Sequence, residues 1–325
     1  MVHTAVNRDD GEVVTSEAPP PHRLVVLGHT WWLRCESALR DLKQRAPFII
    51  AVLRMTYLPL AILLVGYYGY RSYSKIDLST IRGWPLVLSL FTALVWWVAL
   101  ACGWSTLITE RLERAPIRAW CQTQVARYLP GGIWAPLARA TTVQGRVRDK
   151  ATAVVAENVI VLAAAVGVGA LWATVHNPAW FPLVVVAFVP AVFSRWLERR
   201  SKVTRTAVVR TTATYSFGFV AYGITCVLTQ LAVSGIRHPT YPLYVAGAAC
   251  LAWAVGLVVV FAPGGVGVRE VVYVWALRDL YPKADLQAAA VTTRLVTVLA
   301  ELIVLAVVSI GATREAAVPE TSTQV

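Results

Sequence analysis

The chain has 325 residues, 57% of them hydrophobic and only 15% charged, and its mean hydropathy is +0.58. A soluble domain this apolar would leave too much greasy surface in water, so the composition excludes that class and points to an integral membrane protein. The net charge of +12 comes from 30 Lys+Arg against 18 Asp+Glu. In a membrane protein that excess reports topology and contact with anionic head groups, and no nucleic-acid motif accompanies it.

Residues 1–30 are acidic and Pro-rich and lack periodicity, which predicts a disordered tail. No apolar core precedes a cleavage site, so no signal peptide is expected. Residues 31–46 set Arg34, Arg40, Lys43 and Arg45 beside Trp31, Trp32 and Leu33, the pattern of an interfacial amphipathic helix. Apolar segments then recur at 47–70, 84–108, 151–175, 180–193, 206–233, 243–262 and 286–310. Each is near the ~20 residues that cross a bilayer, although the fourth is short. The predicted fold is therefore all-α and polytopic, with about seven spanning helices and two re-entrant or broken-helix elements. A polar tail over 312–325 is expected to be disordered. Basic residues flank the first span (Arg34 to Arg45), follow the second (Arg111, Arg114, Arg118) and follow the fourth (Arg195 to Arg205). That bias places the N-terminus in the cytoplasm. Seven full spans would put the C-terminus outside, and a Pro-Gly-Gly region that crosses would change that side.

Two short stretches break the apolar pattern. In the first, Arg127, Tyr128, Pro130, Gly131, Gly132 and Trp134 are followed by Arg139. Pro130-Gly131-Gly132 must end the amphipathic stretch before it, and a helix can restart at Ile133. Two half-length helices around a turn have the form of a re-entrant hairpin, and the turn offers free N–H groups to an anion. Either this is a lipid-phosphate seat, or it is an interfacial loop whose arginines touch head groups. In the second stretch, Pro263, Gly264, Gly265 and Gly267 precede Arg269 and Glu270. The helix macrodipole favours Glu270 in a first turn and opposes Arg269 there. Arg269 therefore needs a partner: Glu270, another carboxylate or a ligand phosphate. Lipid cannot satisfy an opened backbone, so such breaks survive only under protein or beside water, and paired breaks in two halves of a chain point to a transport site.

Four further polar residues interrupt the spans: Glu157 and Asn158 in the third, Arg294 and Glu301 in the last. A charge at mid-bilayer costs at least ~2.5–3.5 kcal/mol, so these should face the protein and pair. The expected pairs are Arg294–Glu157 or Arg269–Glu301. Whether such charges only hold helices together or line a polar path is open at this level. The five cysteines lack CxxC spacing and read as free thiols or small apolar residues. The five histidines lie in tails and loops. No metal, cofactor or nucleotide motif is present, and no soluble catalytic domain is expected.

The two Pro-Gly-Gly segments resemble the signature of the lysylphosphatidylglycerol synthase transmembrane-region family, whose members carry a flippase-like domain. The family's first motif, Lys/Arg-Tyr-x-Pro-Gly-x-x-Trp, is matched by Arg127, Tyr128, Pro130, Gly131 and Trp134. Its second, Pro-Gly-Gly-x-Gly-x-Arg-Glu, is matched by Pro263, Gly264, Gly265, Gly267, Arg269 and Glu270. Glu157 fills the place of the acidic residue typical of the third span. Asn158 and Val159 stand where the family often continues towards Asp, and Val271 where many relatives have Gly. The resemblance covers about residues 47–311. It implies a multi-pass protein of the inner or plasma membrane that handles lipids, without the aminoacyl-transferase domain of bifunctional relatives.

The leading expectation is a lipid translocator, not an enzyme, moving an anionic phospholipid or a polyprenyl-phosphate-linked lipid between leaflets during envelope biogenesis. The two turns with Arg127, Arg139 and Arg269 would hold phosphate, and Glu157, Asn158, Glu270, Arg294 and Glu301 would line the path. The expected partners are membrane lipids and a cell-envelope enzyme. The alternatives are a membrane-embedded transferase with a lipid-linked donor, and a scaffold for an envelope pathway.

Overall fold

The computed structural model describes residues 82–128, 134–144, 146–175, 177–200, 203–236, 238–259 and 263–316. The predicted tail at 1–30, the interfacial helix at 31–46, the first span at 47–70 and the turn Pro130-Gly131-Gly132 lie outside the described residues. Within them every regular element is helical. In chain order these are α1 (Gly83–Thr109), α2 (Arg114–Gln124), α3 (Trp134–Thr142), α4 (Val147–Thr174), α5 (Phe181–Val184), α6 (Val189–Arg200), α7 (Arg205–Ser234), α8 (Tyr241–Val258), α9 (Val268–Leu277) and α10 (Lys283–Ala316).

Six helical segments among the described residues are long and apolar enough to cross a membrane: Gly83–Thr109, Asp149–Thr174, Pro178–Arg199, Arg205–Ser234, Tyr241–Val258 and Lys283–Ile310. The chain is thus a multi-pass membrane protein. The Pro178–Arg199 segment outruns its predicted end because its basic last turn still extends the helix, as arginines do when they reach to an interface. Pro178, Pro182 and Pro190 withhold backbone donors along it, and short 3-10 turns at Pro178–Trp180 and Val185–Phe188 interleave with α5 and α6. α10 continues to Ala316, and residues 317–325 of the expected tail lie outside the described residues. Ala312, Arg314, Glu315 and Ala316 are strong helix formers and carry the helix past Gly311.

Burial sorts these segments. In the most apolar window of α4, 67% of residues are buried inside the protein, against 11% for Pro178–Arg199. α4 therefore runs through the middle of the bundle, whereas Pro178–Arg199 lies on its outside with Phe181, Phe188, Phe193 and Trp196 exposed.

α1 and α7 pack antiparallel along their whole length. The Arg82 N–H donates to the Ala232 carbonyl at 3.1 Å, the Thr92 and Thr225 hydroxyls meet at 2.8 Å, and the Thr211 hydroxyl donates to the Gly103 carbonyl at 3.1 Å. Small residues let the two backbones approach this closely. A Cβ on Gly103 would enter the Tyr215 ring, whereas one on Gly83 would meet nothing. Gly103→Ala is expected to cost ~1–3 kcal/mol through overpacking. Gly83→Ala should stay within about 0.5 kcal/mol of the parent, both read by thermal unfolding in detergent.

The antiparallel pairing fixes two ends. Arg111, after α1, and Arg210, early in α7, border one groove, so the basic segments that follow the second and fourth predicted spans share one end of the bundle. From that basic end α2 turns back along α1. The Glu113 N–H donates to the Ser105 hydroxyl at 2.8 Å, then Trp120 lies 5.6 Å from the Trp97 ring, and then Arg127 sits 4.5 Å over Trp97. Trp97 is near the middle of the 27-residue α1, a helix ~40 Å long. α3 follows beyond the first Pro-Gly-Gly, with Arg139 beside Trp104 and Trp120.

α8 starts from the opposite end and brings Trp253 into the centre, 4.8 Å from Phe219. After Pro263–Gly265, α9 leads back to where α8 began, and the Tyr241 and Tyr281 rings stand 5.6 Å apart. α10 then crosses the bundle. Its Thr293 meets Thr229, the Thr297 carbonyl accepts from Trp97 Nε1 at 3.0 Å, and Glu301 reaches Arg127. The 3-10 turn Val125–Tyr128 packs directly on Pro263–Gly265.

Candidate functional site

The local chemistry of the second break explains its glycines. Gly264, Gly265 and Gly267 all have positive φ, at 59°, 71° and 85°, where a side chain would be strained. At Gly265 the space is closed as well, because a Cβ would lie 2.6 Å from Arg269 Nε and 3.0 Å from the Gly256 carbonyl. Gly256 meets the Arg269 side chain from α8 in the same way. Two glycines thus form the slot through which Arg269 passes.

Arg269 then lies 4.8 Å over the Trp253 ring. Its Nε is buried without a hydrogen-bond partner, and it has no ion-pair partner among the described residues. Glu270 does not serve it: that carboxylate accepts from the Gly267 N–H at 2.7 Å and caps α9. Of the three partners the sequence allowed Arg269, neither of the two carboxylate choices is taken among the described residues.

Arg269 faces a cavity of about 40 Å³, room for roughly one to three waters. Arg127 and Arg294 line it too, with Glu270, Trp96, Trp97, Tyr222, Tyr273, Thr293 and Thr297. Arg127 bonds Glu301 at 2.5 Å. Arg294 donates to the Gly264 carbonyl at 3.3 Å and so ties α10 to the turn. Guanidinium groups from both sequence motifs and from the last span therefore converge on one small space beside an indole wall.

A second charged centre lies apart from this cavity. Arg139 and Glu157 form a buried ion pair between α3 and α4. Trp120 Nε1 donates to the same Glu157 oxygen at 2.9 Å, and the Tyr215 hydroxyl approaches it at 3.4 Å. The pairs are thus Arg139–Glu157 and Arg127–Glu301, which corrects the expected Arg294–Glu157 and Arg269–Glu301. The physical reason is depth. α3 passes beside α4 near the basic end, whereas Arg294 and Arg269 sit on the far side of Trp97. Asn158 turns away from both centres and donates to the Val154 carbonyl of its own helix at 2.8 Å, so it joins neither. Trp134 opens α3.

Among the described residues the cysteines are free. Burial, with Cys102 and Glu301 nearby, pushes the Cys121 thiol up to about 12, so it stays protonated.

Sequence reasoning did not assign Trp96, Trp97, Trp253, Tyr222, Tyr273, Thr293 or Thr297 to the site. A signal existed in α10, where Thr293, Arg294, Thr297 and Glu301 recur at helical spacing on one face of an otherwise apolar span. No family model and no curated protein matches this chain.

Proposed function

We propose that the chain is a lipid translocator of the lysylphosphatidylglycerol synthase transmembrane-region, flippase-like kind, seated in the inner or plasma membrane. It binds the phosphate of an anionic or polyprenyl-phosphate-linked lipid at the Arg127–Arg269–Arg294 cavity while the head group passes between leaflets. The observation that carries the reading is this convergence at mid-depth, with Arg269 Nε enclosed and Arg269 lacking an ion-pair partner among the described residues. Planar guanidinium forks match phosphate oxygens, and a head group moving through hydrocarbon needs such replacement of its water shell.

The path of the chain supports two re-entrant elements. α2 and α3 enter from the basic end and return, α8 and α9 enter from the other, and the 3-10 turn Val125–Tyr128 meets Pro263–Gly265. Opposed broken helices around a midplane site are the arrangement that alternating access uses. In this reading α8 does not cross, so α10 ends on the same side as the basic loops. The positive-inside rule makes that side cytoplasmic. A fluorescent protein that folds only in the cytoplasm, fused after Val325, is then expected to light up. An exclusively external C-terminal tag would remove α8–α9 from the hairpin class.

The function itself is tested in proteoliposomes with head-group-labelled phosphatidylglycerol. Reconstituted protein should expose inner-leaflet label to an impermeant quencher far faster than empty vesicles do. Equal rates for this lipid and for a labelled polyprenyl-phosphate sugar, with folded protein present, would refute translocation.

A further inference from the structure

Four helices ring the half of the cavity that points away from the basic end. α7 packs on α8 and α10, and α9 packs on the same two, whereas α7 and α9 stand opposite each other and barely meet. All four give side chains to the cavity, among them Cys226 from α7, Ala252 from α8, Tyr273 from α9 and Thr293 from α10. One hydrogen bond spans the ring. The Tyr273 hydroxyl, on the cavity wall, donates to Gln230 Oε1 at 3.0 Å, and both residues are buried.

The helix paths fix its place. Gln230 lies one turn beyond Cys226 on α7, away from the basic end, and Tyr273 lies one turn beyond Arg269 on α9 in the same direction. Past them, the Gln230 amide donates at 2.7 Å to the hydroxyl of Ser234, the last residue of α7. Beside them, the Thr229 and Thr293 hydroxyls meet between α7 and α10. A polar seam thus runs from the cavity to the far end of α7. Helices that only pack use small residues, as α4 and α8 do, where a Cβ on Gly247 would lie 2.9 Å from the Gly169 carbonyl. α7 and α9 instead hold an amide and a phenol between them.

α9 is also the ring member built to swing. It has 10 residues and follows three glycines of positive φ, whereas α7 is a continuous helix of 30 residues. Leu277, buried one turn farther along α9, moves with it. Exchanging one hydrogen bond for bonds to an entering head group or water costs little beside separating packed helices.

We propose that the Tyr273–Gln230 hydrogen bond is the far-side gate of the cavity, and that the seam along Thr229, Gln230 and Ser234 is the route by which a head group leaves towards the membrane face opposite the basic loops. This rests on the cavity being the head-group site of a translocator.

Cys226 lines the cavity and reports access to it. The full chain, in sealed right-side-out and inverted membrane vesicles, is treated with an impermeant sulfonate-bearing methanethiosulfonate, and each cysteine is followed by mass spectrometry. From the face opposite the basic loops, Cys226 should react at least tenfold faster in Tyr273→Ala than in the parent. Tyr273→Phe and Gln230→Leu, which keep the bulk and remove the bond, should fall between and decide the matter if the Ala variant does not fold. Cys250, buried on α8 against the Phe219 carbonyl and outside the cavity lining, should not change. Cys250 accelerating alongside Cys226 would mean general loosening and overturn the gate. So would a Cys226 that already reacts fast in the parent, or one that accelerates only from the basic face. Lipid flux in the same preparations separates the two claims. The expected labelling without flux in the parent keeps the gate and removes the translocator reading. Flux with Cys226 access unaltered in every variant removes the gate and leaves the translocator reading intact.

Discussion

Arg269→Met is expected to lower the rate of lipid translocation by about 30-fold or more while leaving the unfolding temperature unchanged or raising it. The two halves of this result have one cause. Arg269 is half-buried with its Nε enclosed, shares a cavity with two other arginines and has no ion-pair partner among the described residues, so its charge costs folding free energy that a ligand phosphate would offset. Met keeps an unbranched apolar stem against Gly256 and removes the charge. Losing a charge-assisted contact to a buried phosphate removes ~2–5 kcal/mol, which sets the fold-change in rate. A residue kept for structure alone would behave oppositely, with stability falling first. Arg269→Lys should be intermediate, because it restores charge without the planar fork. Flux in proteoliposomes and thermal unfolding of the same preparations supply both readouts. Parent-like flux in the Met variant would remove Arg269 from the binding site.

Glu157→Ala is expected to be the most destabilising change in the described part of the chain. It strips the partner from Arg139 and the acceptor from Trp120, both buried. Breaking a buried ion pair from one side costs ~3–5 kcal/mol. For a protein this size that lowers the unfolding temperature by on the order of 10 °C. The double variant Glu157→Ala with Arg139→Met should regain much of the loss, since it removes both charges together. Thermal unfolding of the two single variants and the double variant in one detergent measures this coupling. Strict additivity would mean that the pair contributes nothing to stability. The contrast with Arg269 separates two kinds of intramembrane charge: Arg139 and Glu157 pair across α3 and α4, whereas Arg269 passes between Gly256 and Gly265 without an ion-pair partner among the described residues.

These roles were unequally legible in the sequence. Span positions follow directly from hydropathy, because a stretch of apolar residues long enough to cross a bilayer has few other fates. The segment read at 84–108 is α1 at Gly83–Thr109, and that read at 206–233 is α7 at Arg205–Ser234. The second break was also legible: Gly264, Gly265 and Gly267 take the positive φ that a permissive glycine turn allows, and Glu270 stands in the first turn of α9 as the macrodipole favours, although Glu270 stayed open there as a partner for Arg269. Partners were not legible. Arg127 and Glu301 are separated by most of the membrane domain, and which arginine reaches which glutamate depends on the depth at which α2, α3 and α10 pass α1. No local pattern encodes that. The indole wall was hidden for another reason. Trp96 and Trp97 in an apolar span look the same whether they face lipid, the interface or a cavity, and only the packing of α7, α8 and α10 around them decides.

The most direct test of the account is a cryo-electron microscopy map of the protein in nanodiscs rich in anionic lipid. The account predicts a phosphate-sized density among the side chains of Arg127, Arg269 and Arg294, with its acyl arm leaving between helices. A map in which anionic lipid decorates only the outer surface, while Arg269 turns to a protein carboxylate, would contradict it.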